Sequence, residues 1–312
     1  MEQLIAKVGA LHSCPDVARS LLNLTKTADY DVQAVVDCLE RDPAMCAKIL
    51  RLVNSARFGL RRKVTNLRQA VTFVGQKTLR LVAMTCSLVD TLTQGAPREL
   101  YDDYWKRSIT SATVAFKLAG INKKCDPHDA YTAGLLADLG ILLFAHAASK
   151  DYCSIYHLAK KNGTCLVSAE REHFSFDHAM LGWKLLADWG FPETILDAVL
   201  RHHDRTCSDS PLACAARGGD LMTDVIWTLP SGRVADAMSW LDHNFGVDID
   251  QFTDLALNIR DEIQTEAEVF GVSIAATQDV GALRQNLTEQ FETVAMETGQ
   301  DLDELKAKIS LT

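Results

Sequence analysis

The sequence predicts an all-α protein. Helix-opening signals recur along the chain, because Asp42-Pro43, Asp126-Pro127 and Ser210-Pro211 each place a capping side chain before a proline, and proline is tolerated in a helix's first turn. Apolar residues then recur at intervals of three and four, and no sustained alternation of apolar and polar residues competes with them. About a dozen helices and no sheet are therefore expected. The clearest periodic run comprises Val32, Val35, Val36 and Leu39.

Polar residues are predicted to mark the ends of the early helices. Asn54-Ser55 follows an apolar run and precedes Phe58-Gly59, where short polar side chains bond backbone groups and end a helix. Thr65 is expected to cap the next helix, because its hydroxyl is a good acceptor for a free backbone N–H. Both positions are interpreted as structural.

Composition indicates a globular protein of the cytoplasm. The 312 residues are 47% hydrophobic and can bury a large core. The amino terminus is acidic, and no apolar segment typical of a signal peptide follows it. Residues 131–148 are apolar but are interrupted by Asp138, and a charge near a bilayer centre costs about 3 kcal/mol. A buried core helix without membrane contact is therefore expected.

The nine cysteines are odd in number and form no CxxC pair. Such a pattern favours neither a disulfide framework nor a zinc knuckle. The sequence therefore predicts reduced thiols, most of them in the core.

Charge is distributed unevenly along the chain. Residues 1–100 hold 14 Lys and Arg against 9 Asp and Glu, residues 101–210 hold 12 against 14, and residues 211–312 hold 6 against 18. Breaks in the apolar pattern near residues 94–97 and 206–210 suggest boundaries. The prediction is a domain over residues 1–208, with subdomains of about 1–95 and 96–208, and an acidic helical extension over residues 209–312.

Three stretches, in this order and spacing, carry a family resemblance. The first runs from Leu39 to Gly59 and continues over Val64–Gly75, the second is Ala133–Leu143, and the third is Phe176–Pro192 followed by His202-His203. Together they resemble the HDOD family, the HD-related output domains of bacterial signalling proteins, over roughly residues 4–206. The resemblance implies a helical domain related to the HD phosphohydrolases, with an N-terminal helical bundle.

The HD phosphohydrolases bind metal through a His…His-Asp…Asp pattern, and this chain departs from it. Arg107 falls where the first histidine is expected, and Ala137 replaces the second; neither side chain can ligate a metal. Asp138 remains, and Asp220 aligns loosely with the last aspartate. The expectation is no catalytic residue, no metal and no cofactor, with Arg107 pairing with Asp138 where the ion would lie. The alternative is that backbone or hydroxyl donors cap Asp138.

A residual metal site of Asp138 with the densest group of histidines is a weaker interpretation. The histidines, His173, His178, His202 and His203, are widely separated along the chain, which argues against it. The region predicted to correspond to the old active site is lined by Arg107, Asp138, His178, His202 and His203. A small anion or a nucleotide, bound without being cleaved, would suit that pocket.

Residues 43–89 contain no Asp or Glu. Cations without internal counter-charges suit an anionic partner, such as nucleic acid. The alternative is that this stretch docks on the acidic third of the same chain. The stretch also contains Lys48 and Arg51, and the predicted surface for an anionic partner comprises Arg57, Arg61, Arg62, Lys63, Arg68, Lys77 and Arg80.

The resemblance and the lost ligands together predict a non-catalytic regulatory module that transmits signals through contacts with signalling proteins. One alternative is a metal-dependent phosphohydrolase acting on nucleotides or cyclic dinucleotides. A second alternative is a nucleic-acid-binding regulator that uses the basic 43–89 stretch.

Overall fold

The computed structural model describes residues 31–55, 58–75, 97–228, 232–270 and 280–298, together with eight isolated positions. Fifteen α-helices and no strand occur in these ranges. The helices are α1 (Val32–Leu39), α2 (Pro43–Val53), α3 (Leu67–Val74), α4 (Arg98–Asn122), α5 (Pro127–Leu136), α6 (Leu139–Ala147), α7 (Ser149–Asn162), α8 (Leu166–Phe174), α9 (His178–Asp188), α10 (Glu193–Arg201), α11 (Pro211–Trp227), α12 (Val234–Phe245), α13 (Ile249–Leu257), α14 (Arg260–Val269) and α15 (Val280–Thr298).

The predicted helix starts are confirmed. Helices α2, α5 and α11 begin at the three prolines that follow a capping residue. The Asp126 carboxylate accepts from the backbone N–H groups of His128 and Asp129, and the Ser210 hydroxyl accepts from that of Ala213. Local chemistry therefore sets these boundaries, and the all-α prediction holds.

The connection between α2 and α3 is held by two asparagines. The Asn54 amide donates to the Val64 carbonyl at 2.7 Å, and its oxygen accepts from the Val64 N–H at 2.7 Å. The prediction of a structural role for Asn54 is confirmed. The prediction for Thr65 is wrong, because Asn66 is the residue whose side chain caps α3, at the Gln69 N–H. Thr65 instead donates to the Gln69 side chain.

Helix α4 is the centre of the fold. It packs against α5 and α11 most extensively and also contacts α6, α12 and α14. Its side chains Tyr104 and Trp105 are fully buried. Helix α11 lies in the predicted C-terminal extension, yet it packs on α4, α5 and α10. The division of the chain at residue 208 stays a prediction.

The N-terminal helices α1, α2 and α3 pack on one another, and α2 also contacts α14. The connection between α2 and α3 carries Arg61, Arg62 and Lys63 and is called the basic connection. Its residue Phe58 stacks on His128 at the start of α5 with ring centroids 4.5 Å apart. His128 also contacts Phe116 of α4, at 5.5 Å. Aromatic packing thus attaches the basic connection to the two central helices.

One segment, Pro127–Ala147, has the length and hydropathy of a membrane span, and 89% of its apolar window is buried inside the fold. It comprises α5 and α6, which are separated by a turn at Ala137 and Asp138. A helix pair covered in this way is typical of a globular core, as the sequence predicted.

Glycines permit close helix contacts around α4 and α6. A Cβ on Gly140 would lie 1.9 Å from the His178 carbonyl oxygen, and one on Gly219 would lie 2.4 Å from the Ser111 carbonyl oxygen. A real Cβ cannot occupy either position, so α6 meets α9, and α4 meets α11, backbone to backbone. The contact at Gly140 also places Asp138 beside His178.

The structure joins Cys207 and Cys214 in a disulfide, with their Cα atoms 5.3 Å apart. The prediction that every thiol is reduced is therefore wrong for this pair. The polar turn between α10 and α11 folds back and brings the two residues within the usual Cα separation of a disulfide. Cys38, Cys46, Cys125, Cys153 and Cys165 are free.

The contact at Gly140 gives a stability prediction. Gly140→Ala should lower the free energy of unfolding by about 3 kcal/mol or more, because the added methyl group meets backbone that cannot move without separating α6 from α9. Chemical denaturation measures the change.

The matched control is Gly120→Ala on α4. Gly120 is exposed and a Cβ there has nothing within 4 Å, so the substitution should stabilise the protein by about 0.5–1 kcal/mol. Equal effects of the two substitutions would contradict the close-contact interpretation.

Candidate functional site

Arg107 lies at the centre of the site and binds three carboxylates. Its Nε donates to Asp138 Oδ2 at 3.0 Å, and its two terminal nitrogens donate to Asp220 Oδ1 at 3.0 Å and Asp224 Oδ1 at 3.1 Å. Asp138 lies between α5 and α6, whereas Asp220 and Asp224 lie one helical turn apart on α11. The guanidinium therefore ties α4 to the α5–α6 junction and to α11, and the predicted pairing of Arg107 with Asp138 is confirmed.

Two further arginines balance the carboxylates of α11. Arg217 donates to Asp220 Oδ2 at 2.7 Å, and Arg233 donates to Asp224 Oδ2 at 2.6 Å. Each of these carboxylates thus binds a second guanidinium with the oxygen that Arg107 leaves free. A carboxylate has two oxygens and can therefore accept from two guanidinium groups at once.

The arginine sets the protonation of the buried carboxyls. Burial would raise the pKa of Asp138, but Arg107 reverses the effect and holds that pKa well below its usual value. Burial also acts on Asp220, whose pKa is nonetheless lowered by His203 and Arg107. Burial raises the pKa of Asp224, and repulsion from Asp220 keeps Arg107 from fully offsetting it. Asp138 and Asp220 are therefore ionised at neutral pH.

Two imidazole rings face the other oxygen of Asp138, and a third ring contacts one of them. The Nε2 atoms of His178 and His202 lie 3.4 Å and 3.5 Å from Asp138 Oδ1. His203 Nε2 lies 2.8 Å from His178 Nε2. Ligand atoms of these four side chains all lie within 4.8 Å of one another. Asp138 thus divides its oxygens between the guanidinium on one side and the imidazoles on the other.

Glu170 of α8 orients His178. Its carboxylate is fully buried, and one oxygen accepts from the His178 backbone N–H at 2.9 Å and from its Nδ1 at 2.7 Å. The other oxygen accepts from the Tyr152 hydroxyl at 2.6 Å. Burial would lower the pKa of His178, but Glu170 and Asp138 raise it well above its usual value. The ring therefore donates from both nitrogens at neutral pH, one proton going to Glu170 and the other to His203.

His202 and His203 lie in the turn after α10. His202 is fully buried, and its Nδ1 donates to the Val199 carbonyl at 2.7 Å. Its Nε2 faces Asp138 Oδ1 at 3.5 Å and forms no hydrogen bond to any described residue. His203 Nδ1 lies 3.2 Å from Asp220 Oδ2. Burial lowers the pKa of His203 to about 4, so at neutral pH its ring is uncharged and its Nε2 accepts a hydrogen bond from His178 Nε2.

A cavity of about 510 Å³ opens beside Arg107 and the histidines. Its outer wall carries cations: Lys106 and Lys160 both contact Asp103 Oδ1 at 3.0 Å, and Lys106 also lies 5.2 Å from the centre of the Trp227 ring. The Asp103 carboxylate also accepts a short hydrogen bond from the Tyr156 hydroxyl. The volume falls within the range of small-ligand pockets. Positive and negative groups alternate around it, so it is not a purely anion-binding pocket.

The basic connection lies away from this cavity. Arg61, Arg62, Lys63 and Arg68 are exposed, and none has an ion-pair partner in the part of the chain that the structure describes. The predicted docking of these four cations on the acidic third is therefore not seen among the described residues. Arg57, Lys77 and Arg80 of the predicted surface lie outside the described residues.

The metal pair of an HD phosphohydrolase does not fit these residues. The Arg107 guanidinium fills the space between Asp138, Asp220 and Asp224, and Ala137 offers no ligand. A cation beside those same oxygens would be repelled by the guanidinium and would find too few free donors.

The structure brings together all five residues predicted to line the site. The separation of the histidines along the chain therefore does not prevent them from clustering. His173, the fourth histidine of the predicted residual metal site, is exposed on α8 and lies outside the cluster of Asp138, His178, His202 and His203. Sequence reasoning missed Glu170 and Asp224. Asp224 had a signal, since it follows Asp220 by four residues on an apolar helix. Glu170 had none, because it stands in the ordinary charged run Glu170-Arg171-Glu172.

Comparison with solved structures identifies the same fold in proteins of low sequence identity. A candidate phosphohydrolase from Shewanella amazonensis SB2B is 24% identical, with a TM-score of 0.66 over 88% of this chain and 98% of that one. An HDOD domain protein of unknown function from Geobacter sulfurreducens is 20% identical, with a TM-score of 0.63 over 86% and 96%. A candidate signal transduction protein from Marinobacter aquaeolei VT8 is 20% identical, with a TM-score of 0.66 over 86% and 65%.

Sequence comparison identifies the family. An uncharacterized protein of Treponema pallidum (strain Nichols) is 24% identical over 198 residues, which are 61% of this chain and 37% of that protein. The HDOD domain matches residues 11–205. Because this match covers more than half of the 312 residues, the chain belongs to the HDOD domain family.

Proposed function

We propose that this protein is a non-catalytic regulatory module that acts through contacts with signalling proteins. The observation that carries the proposal is the Arg107 guanidinium bound to Asp138, Asp220 and Asp224. In an HD hydrolase, carboxylates in this arrangement would hold the ions that activate water. Here Arg107, together with Arg217 and Arg233, supplies permanent positive charge to them, because arginine stays protonated in proteins.

The strength of this arrangement argues that it is a permanent part of the fold. The Asp138 and Asp220 side chains are only 6% and 4% exposed, so their ionised forms depend on a cation within hydrogen-bonding distance. Removing one partner of a buried ion pair typically costs about 3–5 kcal/mol. Moving Arg107 out of this arrangement without a replacement cation would therefore cost much of the stability of a typical domain.

Family membership supports a regulatory role at a coarser level. The solved structures that share the fold include a candidate phosphohydrolase and a candidate signal transduction protein, so fold alone fits both functions. The bridge that Arg107 forms favours the signalling function. The acidic C-terminal helices and the exposed basic connection offer two oppositely charged surfaces for partners.

The first prediction of this proposal concerns hydrolysis. The full chain, supplied with Mn²⁺ or Mg²⁺, should release no product from bis(p-nitrophenyl) phosphate, nucleotides or cyclic dinucleotides beyond the rate of a buffer blank. Chromatography of the products and absorbance at the nitrophenolate band provide the measurement.

The control is Asp138→Asn, which removes the remaining residue of the His-Asp pair. Turnover that rises with the concentration of the unmodified chain and vanishes in this variant would overturn the proposal in favour of a metal-dependent phosphohydrolase.

A second candidate function is favoured by one observation, the exposed cluster of Arg61, Arg62, Lys63 and Arg68 without carboxylate partners among the described residues. Unneutralised cations on this connection and at the start of α3 suit an anionic partner, and nucleic acid is the commonest polymer of that kind. Phe58 is partly buried against His128, so it is not available as a base-stacking platform. Any binding would therefore be to the phosphate backbone.

Fluorescence anisotropy with duplex DNA tests this function. If the four cations neutralise four phosphates, the logarithm of the observed binding constant Kobs should decrease linearly with log[salt], with a slope of about −3.6. Arg61→Glu/Arg62→Glu should abolish binding at 100 mM salt, on the order of the physiological ionic strength.

The matched control is Lys123→Glu/Lys124→Glu, an exposed adjacent pair at the end of α4 with the same change in charge. Equal losses in both variants would indicate that only net charge matters and would remove the basic connection as a binding surface.

A further inference from the structure

The three histidines of the site share a feature of metal ligands. In each ring Nδ1 faces a fixed acceptor, namely Glu170 Oε2, the Val199 carbonyl or Asp220 Oδ2, and Nε2 is directed to the common centre. Metal-binding histidines almost always have this arrangement, since an outer acceptor fixes the tautomer and turns the other nitrogen toward the ion. Rings placed only to fill a core have no reason to be oriented alike.

A buried nitrogen that forms no hydrogen bond also points to a ligand. His202 is fully buried, and its Nε2 faces Asp138 Oδ1 at 3.5 Å without forming a hydrogen bond to any described residue. A buried acceptor left in this way costs about 1–3 kcal/mol. A cation within reach of its lone pair would remove that cost.

We infer that Asp138, His178, His202 and His203 form a binding site for a single divalent transition-metal ion, with Zn²⁺ as the best fit. Three imidazole nitrogens and one carboxylate oxygen are the ligand types that Zn²⁺ prefers. Four protein ligands complete a tetrahedron and leave no position for water. Such a closed site is structural, so this inference goes beyond the proposed regulatory function without depending on it.

Two of the six distances between ligand atoms match those of a tetrahedral site, and all six are within 4.8 Å. With bonds of about 2.0–2.1 Å, the ligand atoms of a tetrahedral Zn²⁺ lie about 3.3–3.4 Å apart. Asp138 Oδ1 lies 3.4 Å from His178 Nε2 and 3.5 Å from His202 Nε2. His178 Nε2 and His203 Nε2 are 2.8 Å apart because they share a proton. The ion displaces that proton to solvent, and the two rings separate by about 0.5 Å to accept it.

Arg107 does not compete for the same oxygen. It binds Asp138 Oδ2, whereas the histidines face Oδ1. The Asp138 carboxylate can therefore bind the guanidinium through Oδ2 and a single ion through Oδ1. It has no oxygen left for a second ion. His203 is 21% exposed and lies on the cavity wall, which gives the ion a path of entry.

Isothermal titration of the full chain tests the site. Protein produced without a His tag is stripped with a chelator and titrated with Zn²⁺, and Co²⁺ is then bound in its place to report geometry by visible absorption. We expect one ion per chain and the intense absorption of tetrahedral Co²⁺. His203→Ala should weaken Zn²⁺ binding by about 100-fold or more, and Glu170→Gln by about 10–100-fold through the orientation of His178.

His173→Ala is the matched control, because His173 is an exposed histidine on the same helix as Glu170, and it should leave the affinity unchanged. Circular dichroism establishes that each variant is folded, and His203→Gln replaces His203→Ala if the latter unfolds. Absence of Zn²⁺ binding to the unmodified chain, or equal affinity in folded His203 variants, would overturn the inference. Phosphoester turnover is measured separately, so its result leaves this test intact.

Discussion

The rest of the structure depends on the electrostatic requirement of three clustered carboxylates, two of them buried, for a shared guanidinium. Asp138 lies at the α5–α6 junction and Asp220 and Asp224 lie on α11, and without a shared cation their mutual repulsion would separate α11 from that junction. Arg107 on the central helix α4 satisfies all three at 3.0–3.1 Å. A metal ion would perform the same mechanical role in a hydrolase. The arginine differs in that it is part of the chain, so it cannot leave or exchange, and it cannot activate a water molecule as a metal ion does.

This electrostatic requirement acts together with a steric one. The guanidinium reaches its partners only if the helices approach closely, and the backbone contacts at Gly140 and Gly219 permit that approach. The contact of Gly140 with the His178 backbone also fixes the position from which the His178 side chain extends. The arrangement of the histidines is therefore a consequence of helix packing, and it would be lost by a methyl group at a position that carries no chemistry itself.

The same reasoning explains which features could be predicted from sequence. Helix starts at Pro43, Pro127 and Pro211 depend on neighbouring residues, so they were predicted correctly. The pairing of Arg107 with Asp138 was predictable because a buried carboxylate needs a cation, and the arginine that replaces the expected histidine supplies one. The common orientation of the imidazoles was not, since it depends on Glu170 and Val199, whose contacts with the rings arise only when the helices pack. The disulfide between Cys207 and Cys214 likewise depends on how a polar turn folds back.

The basic connection and the site are joined by continuous packing, which bears on how a displacement at the surface would reach the buried charges. Phe58 in the basic connection stacks on His128 at the start of α5. Helix α5 ends at Leu136, two residues before Asp138, so a rigid element of ten residues separates the exposed cations from the carboxylate at the centre. A partner that shifted Phe58 would move α5 against α4, and the Arg107 bridge would resist that movement. The bridge thus acts as a mechanical restraint between the outer surface and the buried charges.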